Sequence, residues 1–250
     1  MKKIYMLFMV LGIGGLFNAV MAQNPLRDNY ANLRGIHPAD FRNAYLRFGI
    51  NNFPGTLSPS ESVAANIEGG NIGASTGFMV EVGRHFYFNY KSHMPVRYGL
   101  DWTMISFSYN QLDWSHYARE RNNALSDEQK FDAFSFTGRL GPAATIALTD
   151  DIILDTRVQV AFGLHSLGIY YFDADDDEYF SFGYESGEPF ESPSALYFNP
   201  NFGLSLRYRA VGLAFDYSPQ KIGYDYTSNE GSGRMDFRLQ NLQVKVHLAF

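Results

Sequence analysis

The chain has no cysteine, which excludes a disulfide framework and any thiolate metal site. It also has no apolar run of membrane-helix length. The run at the N-terminus, Ile4 to Phe17, has 14 residues, against the roughly 20 a spanning helix needs. Charge is sparse: Asp, Glu, Lys and Arg make up 18% of residues. The balance is −6, and no Lys or Arg falls between Arg157 and Arg207. An acidic chain with so few cations is a poor partner for nucleic acid. There is no Gly-rich phosphate loop and no nucleophile elbow. His85, His93, His116 and His247 do not have metal-ligand spacing. These absences imply no cofactor and no metal, and no catalytic residue is assigned.

What is present begins with an export signal. Lys2 and Lys3 precede the apolar run, and Val20 and Ala22 occupy the −3 and −1 positions of a signal-peptidase site. Residues 1–22 read as a cleaved signal peptide, with the mature chain starting at Gln23. No Cys follows the site, so a lipid anchor is not expected. Residues 23–41 read as a short polar periplasmic lead-in, and 42–250 as one domain. Aromatic residues reach 16%, with 22 Phe and 17 Tyr, yet mean hydropathy is only −0.22. A helical membrane protein would be far more apolar. A barrel whose strands turn one face to a polar interior would not be.

The dominant pattern is alternation with a period of two, the mark of a strand with one apolar face. It predicts strands over 43–51, 78–90, 97–109, 134–148, 152–165, 198–208, 211–217 and 242–250. In the third the apolar phase switches after Met104 to Ile105, Phe107 and Tyr109, which predicts a β-bulge. Pro142 predicts another irregularity in the fourth, and Pro200 is placed near the start of the sixth. Short connections follow strands two, four and six. Long polar loops are expected after strands one, three, five and seven, at about 55–75, 110–130, 172–196 and 218–233. Aromatic clusters at Phe86–Tyr90, Tyr170–Phe172 and Tyr197–Phe198 are expected at strand ends, as interfacial girdles.

The last strand places Leu242, Val244, Val246, Leu248 and Phe250 on one face and stops on Phe250. Here the chain resembles the bacterial outer-membrane β-barrel family, in particular its small eight-stranded OmpA/OmpX-like members. The resemblance implies that Phe250 is the insertion signal read by the barrel-insertion machinery. It further implies residence in the outer membrane, contact with outer-membrane lipid and lipopolysaccharide, and an extracellular partner of unknown identity. Loop asymmetry and strand count agree with it. The expected fold is all-β: a closed antiparallel up-and-down transmembrane β-barrel, of eight strands, or ten if residues 84–96 or a long loop form another hairpin. A secreted lipocalin-like barrel or sandwich would instead turn the apolar face inward.

The polar faces carry Arg47, Glu81, Asp101, Arg139, Asp155, Arg157, Arg207, Asp216 and Lys245. Five cations and four anions in a narrow interior point to a neutralising ion-pair network rather than a channel. Asp173, Asp175 and Asp177 have the start of a calcium-loop spacing. Glu178 stands where that loop needs Gly, and Tyr184 where it needs Glu. His165 and Ser166 are adjacent, so a strand sends them to opposite faces, against a hydrolytic pair. The expected function is non-enzymatic, structural or surface-interacting through the loops. A narrow channel or transporter and a lipid-modifying enzyme are the alternatives.

Overall fold

A computed structural model describes residues 41–89, 95–121, 129–173, 178–182 and 194–250. The expected leader, most of the lead-in, the turn near Lys91 and most of the acidic run lie outside the described residues. The strands are β1 Ala44–Asn52, β2 Gly77–Tyr87, β3 Val96–Asp113, β4 Lys130–Ala147 and β5 Ile152–Leu167. They continue with β6 Tyr170–Asp173, β7 Glu178–Phe182, β8 Ser194–Tyr208, β9 Val211–Ser228 and β10 Gly231–Ala249. Two one-turn helices, α1 Val63–Glu68 and α2 Ser115–Glu120, sit in the first two loops.

Eight strands close a ring in the order β10-β1-β2-β3-β4-β5-β8-β9, with β9 pairing back to β10 and every pair antiparallel. Closure removes every edge, the condition for a sheet in hydrocarbon. The stagger can be followed residue by residue. Ala144 pairs with Thr156, then Leu204, Phe215, Val244, Ile50, Phe78, Tyr109 and finally Phe134. One circuit thus returns to β4 at residue 134, ten residues from where it left at 144. Eight tilted strands with this stagger make a barrel only wide enough for side chains to fill. The seam is closed by Phe250, whose N–H donates to Ala44 O at 2.9 Å while Ala44 N–H donates to Phe250 O at 3.1 Å.

The bulge at Met104 is present: Val82 pairs with Ile105 and Gly83 with Thr103, so one residue of β3 is left over. Pro142 makes no bulge. The β4–β5 register is the same on both sides of it, Leu140 with Val160 and Ala143 with Arg157. The ladder to β5 skips Gly141 and Pro142, since proline has no N–H to donate, and resumes in the same register. The turn after β8 places Arg209 at φ 51, unusual for a residue with a Cβ. Its guanidinium is tied to Asp151 at 2.6 Å and its N–H donates to Asp151 O.

All four expected loops are revised. The stretch 218–233 is not a loop. β9 runs on to Ser228, a two-residue turn follows, and β10 starts at Gly231. Residues 110–130 give four more residues to β3, Asn110 to Asp113, and contain α2; the loop at 55–75 contains α1. The acidic loop begins with the β6–β7 hairpin, which pairs through β7 onto the top of β9. The ring nevertheless has eight strands, and that hairpin stands above it.

One physical change explains why β9 and β10 continue where the apolar pattern fails. Side-chain direction alternates without a break, but the polarity of the two faces exchanges. On β10 the outward residues are Leu242 and Val244 below, then Gln240, Arg238, Asp236 and Arg234 above. The inward residues are Lys245, Gln243 and Asn241 below, then Leu239, Phe237 and Met235 above. β9 does the same, with Tyr217 and Pro219 the last outward apolar residues and Ile222 and Tyr224 buried above them. On these two strands the lower part is greasy outside and polar inside; the upper part is the reverse. That inversion marks where hydrocarbon gives way to water.

Candidate functional site: a filled lumen

Below the inversion, the inward positions bring all nine expected charged residues into the barrel, none more than 5% exposed. Glu81 on β2 is the hub. It accepts from Arg47 at 3.0 Å, Arg139 at 3.1 Å and Lys245 at 2.8 Å. Asp216 on β9 takes Arg157 at 2.7 Å, Arg139 at 3.5 Å and Lys245. Lys245 therefore bridges two carboxylates from opposite sides of the lumen. Asp101 accepts from the Tyr45 hydroxyl at 2.5 Å, and its other oxygen lies 3.7 Å from Arg47 and 4.0 Å from Arg157. Arg207 and Asp155 form a separate pair at 3.1 Å nearer the short-turn end. Each strand supplies a charge because the period of two returns an inward position every other residue, and neighbouring strands stack those positions at one level.

Neutral polar groups complete the network. Gln243 accepts from Arg139 at 3.2 Å and donates to Asn51 at 2.9 Å; Asn51 donates to Asn110 at 2.5 Å. The rings of His85 and His247 flank Tyr45, with centroids 5.2 and 5.6 Å away. Sequence reasoning weighed His85 and His247 only as metal ligands and gave no site role to Tyr45, Gln243 or Asn51. Their inward parity was legible, but an uncharged polar residue inside a strand gives no signal of its own.

Above the inversion the lumen is closed by an apolar cap, which sequence reasoning missed entirely. Phe53, Ile67, Ile72, Leu112, Trp114 and Tyr117 from the first two loops pack against Tyr171, Phe180 and Phe182 of the β6–β7 hairpin. The upper β9–β10 wall adds Tyr224 and Phe237, stacked at 5.7 Å. Trp114 is fully buried and donates from Nε1 to Ile72 O at 3.0 Å. Burying a side chain of this class contributes about 1.5–3 kcal/mol. Helix α1 is aimed at the cap by Ser62, whose hydroxyl accepts from Ala65 N–H at 3.2 Å. It is ended by Gly70 at φ 82, where a Cβ would stand 2.2 Å from Arg238 O. Only glycine lets the first loop lie this close against β10. At the rim, Arg121 reaches Glu178 at 2.6 Å and the Tyr117 hydroxyl at 2.5 Å.

The expected girdle is corrected in part. Phe86 and Phe88 do point outward at the short-turn end, as do Tyr170, Phe172 and Phe198 at the other. Tyr171 and Tyr197 are buried instead; Tyr197 hydrogen-bonds Thr137 at 2.6 Å. His165 is buried with Nδ1 2.8 Å from the Tyr224 hydroxyl. Of the acidic run, Asp173 is buried and Glu178 holds Arg121, while 174–177 and 183–193 lie outside the described residues. Among the described residues no three His, Asp or Glu side chains are arranged to hold a metal ion.

Outside, Val160, Leu204 and Val244 are 54%, 45% and 39% exposed. A water-soluble barrel would have these side chains in its core and its charges on the surface. Here the charges are dry and the aliphatic and aromatic groups are bare around the whole ring. This chain is a transmembrane β-barrel. No family model matches the sequence, and no curated protein matches it. Among solved structures it is similar to the outer membrane protein Ail of Yersinia pestis in a phospholipid bilayer nanodisc. Identity is 10%, coverage is 84% of this chain and 99% of that one, and the TM-score is 0.32. At that level of likeness no residue role passes from one chain to the other.

Proposed function

We propose that the chain is an integral outer-membrane barrel that conducts nothing and catalyses nothing, and that acts as a membrane-embedded scaffold for its extracellular cap and loops. The observation that carries this reading is the lumen itself. A salt-bridged layer fills the membrane half, an aromatic cap fills the other, and both are built from side chains buried to a few per cent. A gated channel needs a hydrated path, and a buried layer of ion-paired charges is a structural plug. Outer-membrane residence is supported by the apolar belt, and by the C-terminal strand whose last residue closes the seam on β1. The loops that carry any partner contact are α1, α2 and the β6–β7 hairpin. The test is planar-bilayer recording and liposome swelling with refolded protein. The reading expects heat-modifiable, fully inserted barrels with no unitary conductance. Steady conductance steps would favour the channel reading, and changed lipid A acylation on expression would favour an enzyme.

A further inference from the structure

The apolar belt has a step in it. β8 and β9 share the periplasmic turn at Arg209–Ala210, so their lower ends are level, and they pair up to Phe202 with Tyr217. Above that rung the two outward faces part company. On β8 the apolar face continues through Pro200, Phe198 and Leu196, the last two each 77% exposed. On β9 the next outward residues are Pro219, Lys221 and Gly223, with Lys221 ion-paired to Asp236 of β10 at 3.0 Å. Arg238 and Gln240 continue the polar face on β10.

The step separates a tall wall from a short one. Outward apolar residues run from Phe134 to Leu148 on β4, Ile152 to Leu164 on β5 and Leu196 to Tyr208 on β8. They run only from Val211 to Pro219 on β9, Leu242 to Leu248 on β10, closed by Phe250, and Leu46 to Ile50 on β1. With a rise of about 3.3 Å per residue and a tilt near 40°, the β8 run spans about 30 Å of membrane normal and the β9 run about 20 Å. A typical hydrocarbon core is about 30 Å thick. The tall wall matches it and the short wall does not. Tilting the whole barrel cannot cure this. A tilt raises or lowers both ends of a wall together and changes level smoothly around the ring, whereas β8 and β9 are adjacent and level at the bottom.

We propose that the lipid around β9, β10 and β1 is locally thinned. The outer-leaflet headgroups there step down until their phosphates meet Lys221 and Arg238, while lipid of full thickness covers β4, β5 and β8. The alternative holds Lys221, Asp236 and Arg238 in hydrocarbon together, where each charge is penalised at depth, whereas bilayer mismatch is penalised only weakly for each Å. The inference rests on the membrane-barrel reading above.

The absence of cysteine makes the test clean. Single Cys substitutions at Gln240, Lys221, Val211, Leu164 and Leu148 of the full chain carry a nitroxide. The protein is refolded into phosphatidylcholine liposomes of 18-carbon acyl chains, and depth is read from oxygen against nickel accessibility. The proposal expects Gln240 and Lys221 to be nickel-accessible, Leu164 oxygen-accessible, and both lower-edge positions, Val211 and Leu148, interfacial. In 12-carbon lipid Leu164 moves to the interface while Gln240 does not change. Hydrocarbon depth at Gln240 and Lys221 would overturn the proposal. So would Val211 buried deep beneath an exposed Gln240, which is the signature of tilt. If no position, Leu164 included, reads lipid, the membrane-barrel reading itself has failed.

Discussion

Glu81 is the residue on which the lumen's charge balance is most exposed. Replacing it with Gln preserves shape and removes the one group that accepts from Arg47, Arg139 and Lys245 together. The central cluster then holds four cations, Arg47, Arg139, Arg157 and Lys245, against Asp101 and Asp216. All six stay buried, so the uncompensated charge has no solvent to turn to. Removing one partner of a buried ion pair costs about 3–5 kcal/mol, and Glu81 serves three partners, so Glu81→Gln should lie at or above the top of that range. Lys245→Met is the control. It leaves Glu81 with two arginines and Asp216 with two, and it removes a cation from a lumen that has five for four anions. Its cost should be about 1.5–3 kcal/mol, that of a lost hydrogen bond to a charged group. The double variant Glu81→Met/Lys245→Met should recover part of the loss, because a charge and its counter-charge leave together. The assay is urea unfolding in phospholipid vesicles, followed by heat-modifiable gel mobility and tryptophan emission. If Glu81→Gln unfolds within about 1 kcal/mol of the parent, the charges are not mutually dependent and the plug reasoning is wrong.

Gly70→Ala should loosen the cap without opening the ring, costing about 1–3 kcal/mol from strain at φ 82 and the clash with Arg238 O; protease cleavage near α1 checks it. Trp114→Ala should cost about 3–5 kcal/mol and raise protease sensitivity of the loops, with barrel mobility on gels retained. Burial holds the Tyr117 hydroxyl well above its ordinary 10.0, helped by the Glu178 carboxylate, while Arg121 opposes the shift. A folded-state value raised in this way stabilises the cap below pH 10, and that contribution is lost as pH climbs from about 10 towards the folded value. Trp114 emission, read in a Trp102→Phe background, should therefore shift red above pH 10 while the strand signal is unchanged.

The membrane half of the fold was legible because one rule governs it throughout. Outward residues meet hydrocarbon and inward ones meet each other, so Phe48, Val160 and Leu204 alternate with Arg47, Gln159 and Ser205, and each strand can be read alone. Even the bulge at Met104 left its mark as a phase change. The rule fails above the belt, where water replaces lipid and the faces exchange polarity. Ile222, Tyr224, Phe237 and Leu239 are as regularly alternating as Val244 and Val246, but they face the other way. Ile222 and Tyr224 sit among Gly, Ser and Asn and so read as a loop, while Phe237 and Leu239 lie between charged and polar residues. The cap was illegible for a different reason. Ile67, Ile72, Trp114 and Tyr171 come from separate loops and meet only because the ring gathers those loops over one mouth. The nine lumen charges could be assigned to the interior from parity, but which cation meets which anion depends on the ten-residue stagger, which no single strand records.

The direction of the side chains can be measured outright. Single cysteines at Val160, Leu204 and Val244 on one side of the wall, and at Gln243 on the other, in protein refolded into liposomes, can be challenged with a water-soluble and a lipid-soluble maleimide. The three wall positions should resist the first and react with the second, and Gln243 should react with neither until the barrel is unfolded. Rapid reaction of Val160, Leu204 and Val244 with the water-soluble reagent would mean that water, not lipid, faces the apolar side.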